Sequence, residues 1–252
     1  MNAAPVWLFD LDNTLHDASH AAFAGISESM TDYIVEHLGL EVAAAAALRQ
    51  HYWHRYGATL LGMVRHHGVR AAHFLEQTHR LPGLEERLRT CAHDRAALRR
   101  LPGRKYVLTN APRRYAMRVL KRLRLATAFD GVMGIEDMAM FGERRPKPDG
   151  RMLRRVAIRL KVAPSRCVLI EDTLAHQKAA RRIGMRTVWM QRYLGGRYPG
   201  AIRSSATPQK RIATAVHVCP NPAYVCAKIK SLQRLRAPDD HFRRSARDRS
   251  VA

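Results

Sequence analysis

The sequence predicts an α/β fold, a parallel sheet with helices on both faces, interrupted after its first strand by a helical insertion. Three observations carry this. Short apolar runs without polar alternation recur at VWLF (6–9), YVLT (106–109), GVMGI (131–135), CVLI (167–170) and TVWM (187–190), as in strands buried on both sides. Helical patterns separate several of these runs, and alternating strand and helix implies parallel strands joined by right-handed crossovers. Between residue 16 and about residue 100 no buried strand pattern occurs, only helical material.

Taken in order, VWLF is the first strand and ends at Asp10. The insertion then reads HAAFAGISESMTDYIVEHLG, EVAAAAALRQHYWHRYG, AAHFLEQTH and LEERLRTCAHDRAALRRL. An insertion at the ligand-binding edge of a sheet can act as a lid against water. After the second strand, RRYAMRVLKRLRL (113–125) places Tyr115, Val119 and Leu123 on one helical stripe, and DGRMLRRVAIRLKV (149–162) does the same with Met152, Val156 and Leu160. Past residue 193 the pattern changes. GGRYPGAIRSSATPQK (195–210) reads as a loop, RIATAVHVC (211–219) as a last strand, NPAYVCAKIKSLQRL (221–235) as a closing helix, and RAPDDHFRRSARDRSVA (236–252) as a disordered basic tail.

Composition bounds the function. The chain has 252 residues, 46% hydrophobic and 26% charged, which suits one full-sized domain or a main domain with a smaller insert. MNAAPVWLFDLD has no basic segment ahead of an apolar signal core, and no stretch approaches the ~18 apolar residues of a membrane helix. A cytoplasmic protein with no membrane partner is expected. The cysteines at 91, 167, 219 and 226 form no CxxC pair, so reduced thiols are expected rather than a disulfide framework or a structural zinc site. The net charge is +23, and from residue 192 onward 13 Lys or Arg face 3 Asp or Glu. Such a field attracts phosphates on small anions or nucleic acid, although solvated helix faces also account for it.

The polar residues beside the apolar runs form a set. Asp10, Asp12 and Thr14 follow the first run, and Thr109 and Asn110 close the second. Lys147 precedes the fourth, and Glu171, Asp172 and Thr173 follow it. Parallel strands would bring these groups to one edge, where doubly wound sheets bind ligands. Four carboxylates against one lysine is too much negative charge to leave unpaired. A hard divalent cation resolves this, and Mg²⁺ prefers a few carboxylates, water and phosphate oxygens.

On these residues the chain resembles the haloacid dehalogenase-like (HAD) hydrolase superfamily. FDLDNT matches its DxDxT motif, LTN its second motif, Lys147 in RPKPD its third and IEDT its fourth, in that order within residues 6–190. The resemblance implies a Rossmann-like core over 1–15 and 101–235 with a helical cap of the C1 type over 16–100. It implies that Asp10 is the nucleophile that takes the phosphoryl group as an aspartyl phosphate. Asp12 is then the general acid and base. Thr109, Asn110 and Lys147 would bind phosphate, with Lys147 also neutralising Asp10. Asp10, Asp12 through its carbonyl, Glu171 and Asp172 would hold Mg²⁺. Dehalogenases of the superfamily lack an acid at the position of Asp12, so phosphoryl transfer is the expected chemistry.

Within the insertion, HYWHRYGATLLGM (51–63) and HFLEQTH (73–79) resemble the pyrimidine 5'-nucleotidase-like branch, which implies a nucleoside monophosphate substrate and a base contact by Tyr56. The alternatives are a phosphoglycolate or sugar-phosphate phosphatase or mutase of the same superfamily, or a HAD scaffold that binds nucleic acid through its basic tail. Two departures stand out. Lys147-Pro148-Asp149-Gly150 replaces the usual KPDP, with a looser helix start expected, and His176 stands where an Asn often follows the fourth motif, which changes a hydrogen bond behind the site.

Overall fold

The computed structural model describes residues 4–89, 91–194 and 224–235. β1 (Val6–Phe9) leads into α1 (Ala18–Ala21), α2 (Phe23–Leu38), α3 (Val42–Tyr56), α4 (Thr59–His67), α5 (Ala71–Thr78), α6 (Leu84–Arg87) and α7 (Ala92–Arg100). Next come β2 (Arg104–Leu108), α8 (Arg113–Arg122), β3 (Gly131–Met133), and the short antiparallel pair β4 (Ala139–Met140) and β5 (Glu143–Arg144). The described chain closes with α9 (Gly150–Arg159), β6 (Cys167–Glu171), α10 (Leu174–Arg182), β7 (Arg186–Met190) and β8 (Ala227–Ile229).

The main sheet runs β3-β2-β1-β6-β7-β8, and every neighbouring pair is parallel. Successive strand residues point to opposite faces, and β1 shows both faces filled. Trp7 and Phe9 join one core cluster with Tyr115, Ala116, Val119 and Leu120 of α8. Val6 and Leu8 join the other with Met152, Leu153, Val156 and Ala157 of α9. Burial of each large apolar side chain contributes about 1.5–3 kcal/mol, so an uninterrupted apolar strand is stable only as a central one. Strand order reverses beside β1, which pairs with β2 on one side and β6 on the other. The crevice at such a switch point is the ligand-binding position of the doubly wound architecture.

The helical interval divides between two packing clusters. Tyr33, Ile34, Tyr52, Leu60, Met63, Phe74 and Leu75 of α2 to α5 pack together, joined by Ile135 from beyond β3. Leu84 of α6 and Ala97 and Leu98 of α7 instead pack into the sheet-side cluster. α2 and α3 each end on a left-handed glycine, Gly39 at φ 65° and Gly57 at φ 78°, a conformation that costs glycine least.

Three expectations change. The stretch 221–235 is not a helix in its described part: it forms β8, parallel to β7, and a short 3₁₀ turn over Leu232–Arg234. Val225, Ile229 and Leu232 are all buried, and their spacing, which reads as helical, is met here by an edge strand and a turn. β3 stops at Met133, which frees Ile135 to pack with the insertion. The start of α9 is firmly capped, because the Asp149 carboxylate accepts from the N–H groups of Arg151 and Met152. The expected loop at 195–210, strand at 211–219 and tail at 236–252 lie outside the described residues. No helix among the described residues is long and apolar enough to cross a membrane.

Candidate active site

The parallel topology brings the expected residues together at the carboxyl ends of β1, β2 and β6. Asp10 directly follows β1, and its N–H continues the ladder to the Ile170 carbonyl at 2.9 Å. Lys147 lies between two carboxylates, donating from Nζ to Asp10 Oδ1 at 2.6 Å and to Glu171 Oε2 at 2.7 Å, with its side chain 1% exposed. Its backbone is clamped by Asn110. The Lys147 N–H donates to Asn110 Oδ1 at 2.9 Å, and Asn110 Nδ2 donates to the Lys147 carbonyl at 3.0 Å. The Asn110 side chain therefore serves the lysine, which leaves its main chain for any phosphate contact. Thr109 is buried, and its hydroxyl accepts from the Ala111 N–H at 3.0 Å.

The fourth motif is braced from behind. Gln177 Nε2 donates to the Glu171 carbonyl at 2.7 Å, Trp189 Nε1 donates to the Asp172 carbonyl at 2.8 Å, and the Thr173 N–H donates to Glu171 Oε1 at 3.2 Å. His176, at the departure from the motif, places Nδ1 3.1 Å from Glu171 Oε2.

Electrostatics show what the cluster lacks. Burial would raise the Glu171 carboxyl, but Lys147 and His176 outweigh it and hold it well below the usual range. Burial, then the Glu171 charge, push Asp10 well above that range against the pull of Lys147. The same two causes push Asp172 up to about 8. Burial would lower the Lys147 ammonium, but Asp10 and Glu171 raise it above its ordinary value. Lys147 and His176 thus satisfy Glu171 and leave Asp10 and Asp172 strained. Carboxylate oxygens of Asp10, Glu171 and Asp172 lie within 4.8 Å of one another. Hard oxygen donors at this spacing suit a hard divalent cation, and the strained acids are the ones it would relieve.

Asp12 is held apart from this cluster. Its Oδ1 accepts from the Tyr115 hydroxyl at 2.9 Å and lies 2.9 Å from His16 Nε2. Tyr115 also lines a cavity of about 480 Å³ between α5 and α8, with Leu75 and His79 from the insertion and Arg114 and Arg144 from the core. Tyr56 is not brought to the motifs. Its hydroxyl lies 2.6 Å from His66 Nε2 and accepts from Arg55 Nε, and its ring neighbours are Tyr52 and His66. The partners His16, Tyr115, Gln177 and Trp189 went unseen in the sequence. Tyr115 carried one signal, since a tyrosine in a buried helical stripe needs a partner for its hydroxyl.

Residues 6–184 match the haloacid dehalogenase-like hydrolase family. Among solved structures, a HAD phosphatase from Thermococcus onnurineus shares 18% identity, covering 91% of this chain and 94% of its own, with a TM-score of 0.54. A putative HAD-hydrolase from Bacillus subtilis bound to magnesium shares 18%, covering 92% and 96%, with a TM-score of 0.52. A 2-haloacid dehalogenase from Pseudomonas syringae shares 19%, covering 96% and 100%, with a TM-score of 0.53. Likeness at this level establishes the fold. The "Phosphate metabolism protein 8" of Saccharomyces cerevisiae is 24% identical over 196 residues, which is 73% of this chain and 60% of the yeast protein. The chain thus matches under two thirds of that relative's length.

Proposed function

We propose that this chain, which belongs to the haloacid dehalogenase-like hydrolase family, is a Mg²⁺-dependent phosphomonoester hydrolase that works through an aspartyl phosphate on Asp10. Relatives of one fold include both a phosphatase and a dehalogenase, so the fold does not choose between them. The observation that carries the choice is a second carboxylate, Asp12, held by its own partners beside the Asp10 cluster. An oxygen leaving group needs a proton, and a halide does not.

An ionised Asp10 oxygen attacks phosphorus, and the bond from phosphorus to the ester oxygen breaks. Asp12 gives that oxygen its proton and becomes a carboxylate. It then takes a proton from water as the water oxygen attacks the aspartyl phosphate, which releases phosphate and returns Asp10 and Asp12 to their starting states. Lys147, with Nζ already 2.6 Å from Asp10, favours the ionised nucleophile and offers N–H donors to the phosphoryl oxygens. Thr109 supports the same oxygens from the end of β2. Asp10, Glu171 and Asp172, with the Asp12 carbonyl, would hold Mg²⁺, which when bound supplies positive charge against the phosphoryl oxygens.

The substrate class is a phosphorylated small molecule, with nucleoside monophosphates favoured by the likeness of HYWHRYGATLLGM to the nucleotidase branch. The Tyr56 hydroxyl is already committed to His66, so any base contact by Tyr56 is through its ring. The test is phosphate release from UMP, CMP, dTMP, AMP, phosphoglycolate and sugar phosphates, with and without Mg²⁺. Mg²⁺-dependent release that Asp10→Asn abolishes is expected, and activity retained in that variant overturns the mechanism. Equal rates across the panel overturn the nucleoside preference alone.

A further inference from the structure

We propose that Tyr115 and His16 are positioning residues for Asp12, which occupy its Oδ1 and so reserve Oδ2 as the oxygen that carries the transferable proton. This rests on the phosphoryl-transfer mechanism above and specifies which atom of Asp12 performs it.

Two side chains from separate elements meet at one carboxylate oxygen. The Tyr115 hydroxyl arrives from the first turn of α8, 103 residues away in sequence, and His16 Nε2 arrives from just past the first motif, each at 2.9 Å. Both residues are buried, Tyr115 at 1% and His16 at 2% exposure. In a protonated carboxyl group the carbonyl oxygen accepts and the other oxygen bears hydrogen. Two donors on Oδ1 make it the carbonyl oxygen and leave the hydrogen on Oδ2. Both partners fit the donor role. The Tyr115 hydroxyl is an ordinary phenol O–H and donates to Oδ1. His16 Nδ1 is buried with no hydrogen-bond partner among the described residues, so a ring proton on Nε2 is the placement that makes a hydrogen bond, to Asp12 Oδ1.

The arrangement also fixes direction. Tyr115 forms part of the wall of the cavity between α5 and α8, so the group that orients the acid also borders space where the alcohol portion of an ester could lie. During the first step the Oδ2–H proton passes to the departing oxygen as its bond to phosphorus breaks. Oδ1 keeps both of its hydrogen bonds throughout, and the carboxylate that remains is already oriented to accept a proton from water.

A buried tyrosine that merely satisfied its hydroxyl on Asp12 would leave the chemistry of the leaving group untouched. Leaving-group dependence therefore separates positioning from packing. Tyr115→Phe and His16→Gln are compared with the parent on p-nitrophenyl phosphate, whose leaving group departs without a proton, and on an alkyl phosphomonoester, whose leaving group requires one. The expected result for Tyr115→Phe is a loss of about tenfold or more in kcat/KM on the alkyl ester, with little change in kcat/KM on p-nitrophenyl phosphate, because that ratio reports the first step and not the later hydrolysis of the aspartyl phosphate, which both esters share. His16→Gln, which retains an N–H donor, loses less than His16→Leu. The p-nitrophenyl arm shows in the same experiment that each variant is folded. Equal losses in kcat/KM on both esters, or no loss in kcat/KM on the alkyl ester, overturns the positioning role while leaving the mechanism intact. Absence of phosphate release from both esters by the parent protein overturns the mechanism and the positioning role together.

Discussion

Replacing Lys147 with Met removes the charge at the centre of the site while keeping most of the side-chain volume. In the parent, that ammonium donates to Asp10 at 2.6 Å and to Glu171 at 2.7 Å inside the protein. Breaking a buried ion pair by removing one partner costs about 3–5 kcal/mol, because the remaining charge is left without compensation. Here two carboxylates lose the same partner, and they limit the loss by taking up protons. At about 2–4 °C per kcal/mol for a chain of this size, the melting temperature in metal-free buffer is expected to fall by about 6–20 °C. The pH dependence has a definite sign. Glu171 in the parent is held below the usual carboxylate range. A depressed carboxylate contributes stability above its unfolded pKa and loses it as pH falls through the folded value. In Lys147→Met, burial raises the Glu171 carboxyl instead and raises Asp10 further than in the parent, so the variant loses more stability as pH rises. The gap between the two proteins is thus widest near neutrality and narrows as pH falls toward the depressed Glu171 value. Urea unfolding across this range measures the gap, and a further Glu171→Gln change should recover part of it. A gap under about 1 kcal/mol at neutral pH, or one that does not shrink on acidification, refutes the reasoning.

Two further tests concern the scaffold. A Cβ on Gly62 would run into the Tyr52 ring, so Gly62→Ala forces the ring to shift and costs about 1–3 kcal/mol locally. Hydrogen exchange should quicken in α3 and α4 and stay unchanged in the sheet; uniform quickening contradicts a separately packed cluster. Gln177→Met removes the donor to the Glu171 carbonyl, and the Mg²⁺ concentration for half-maximal activity is expected to rise about tenfold or more. An unchanged metal titration contradicts the bracing role.

The sheet was legible because its strands are apolar on both faces and need no partner pattern to be recognised. Val6 to Phe9 and Cys167 to Glu171 are buried throughout, and the acids at their ends could be read as a cluster once the strands were taken as parallel. β8 was not legible. It is three residues long, at the edge, and its neighbours Val225, Ile229 and Leu232 repeat at the spacing of a helix face. The packing of Leu84 and Leu98 against the sheet was equally hidden, since an amphipathic helix shows which face is buried but not what buries it. At the site, residue types gave the acids, the lysine and the threonine. The double use of Asn110 on Lys147 and the convergence of His16 and Tyr115 on one oxygen are facts of three-dimensional registry. No local pattern encodes them.

The strained acids sit inside a molecule whose formal charge is +23, and the two signs act over different ranges. Beyond a Debye length, about 8 Å in physiological salt, mobile ions mute individual charges, and what a distant phosphate ester meets is the residual field of the whole surface. With a net charge of +23 that field is attractive overall. Over the last few ångströms the local acids take over, because Asp10, Glu171 and Asp172 are clustered there and Lys147 is already paired with two of them. The molecule therefore collects anions broadly and admits them narrowly. Salt should slow the collecting stage, whereas the admitting stage answers to the local count of cations, so ionic strength and metal concentration would act on separate parts of substrate capture.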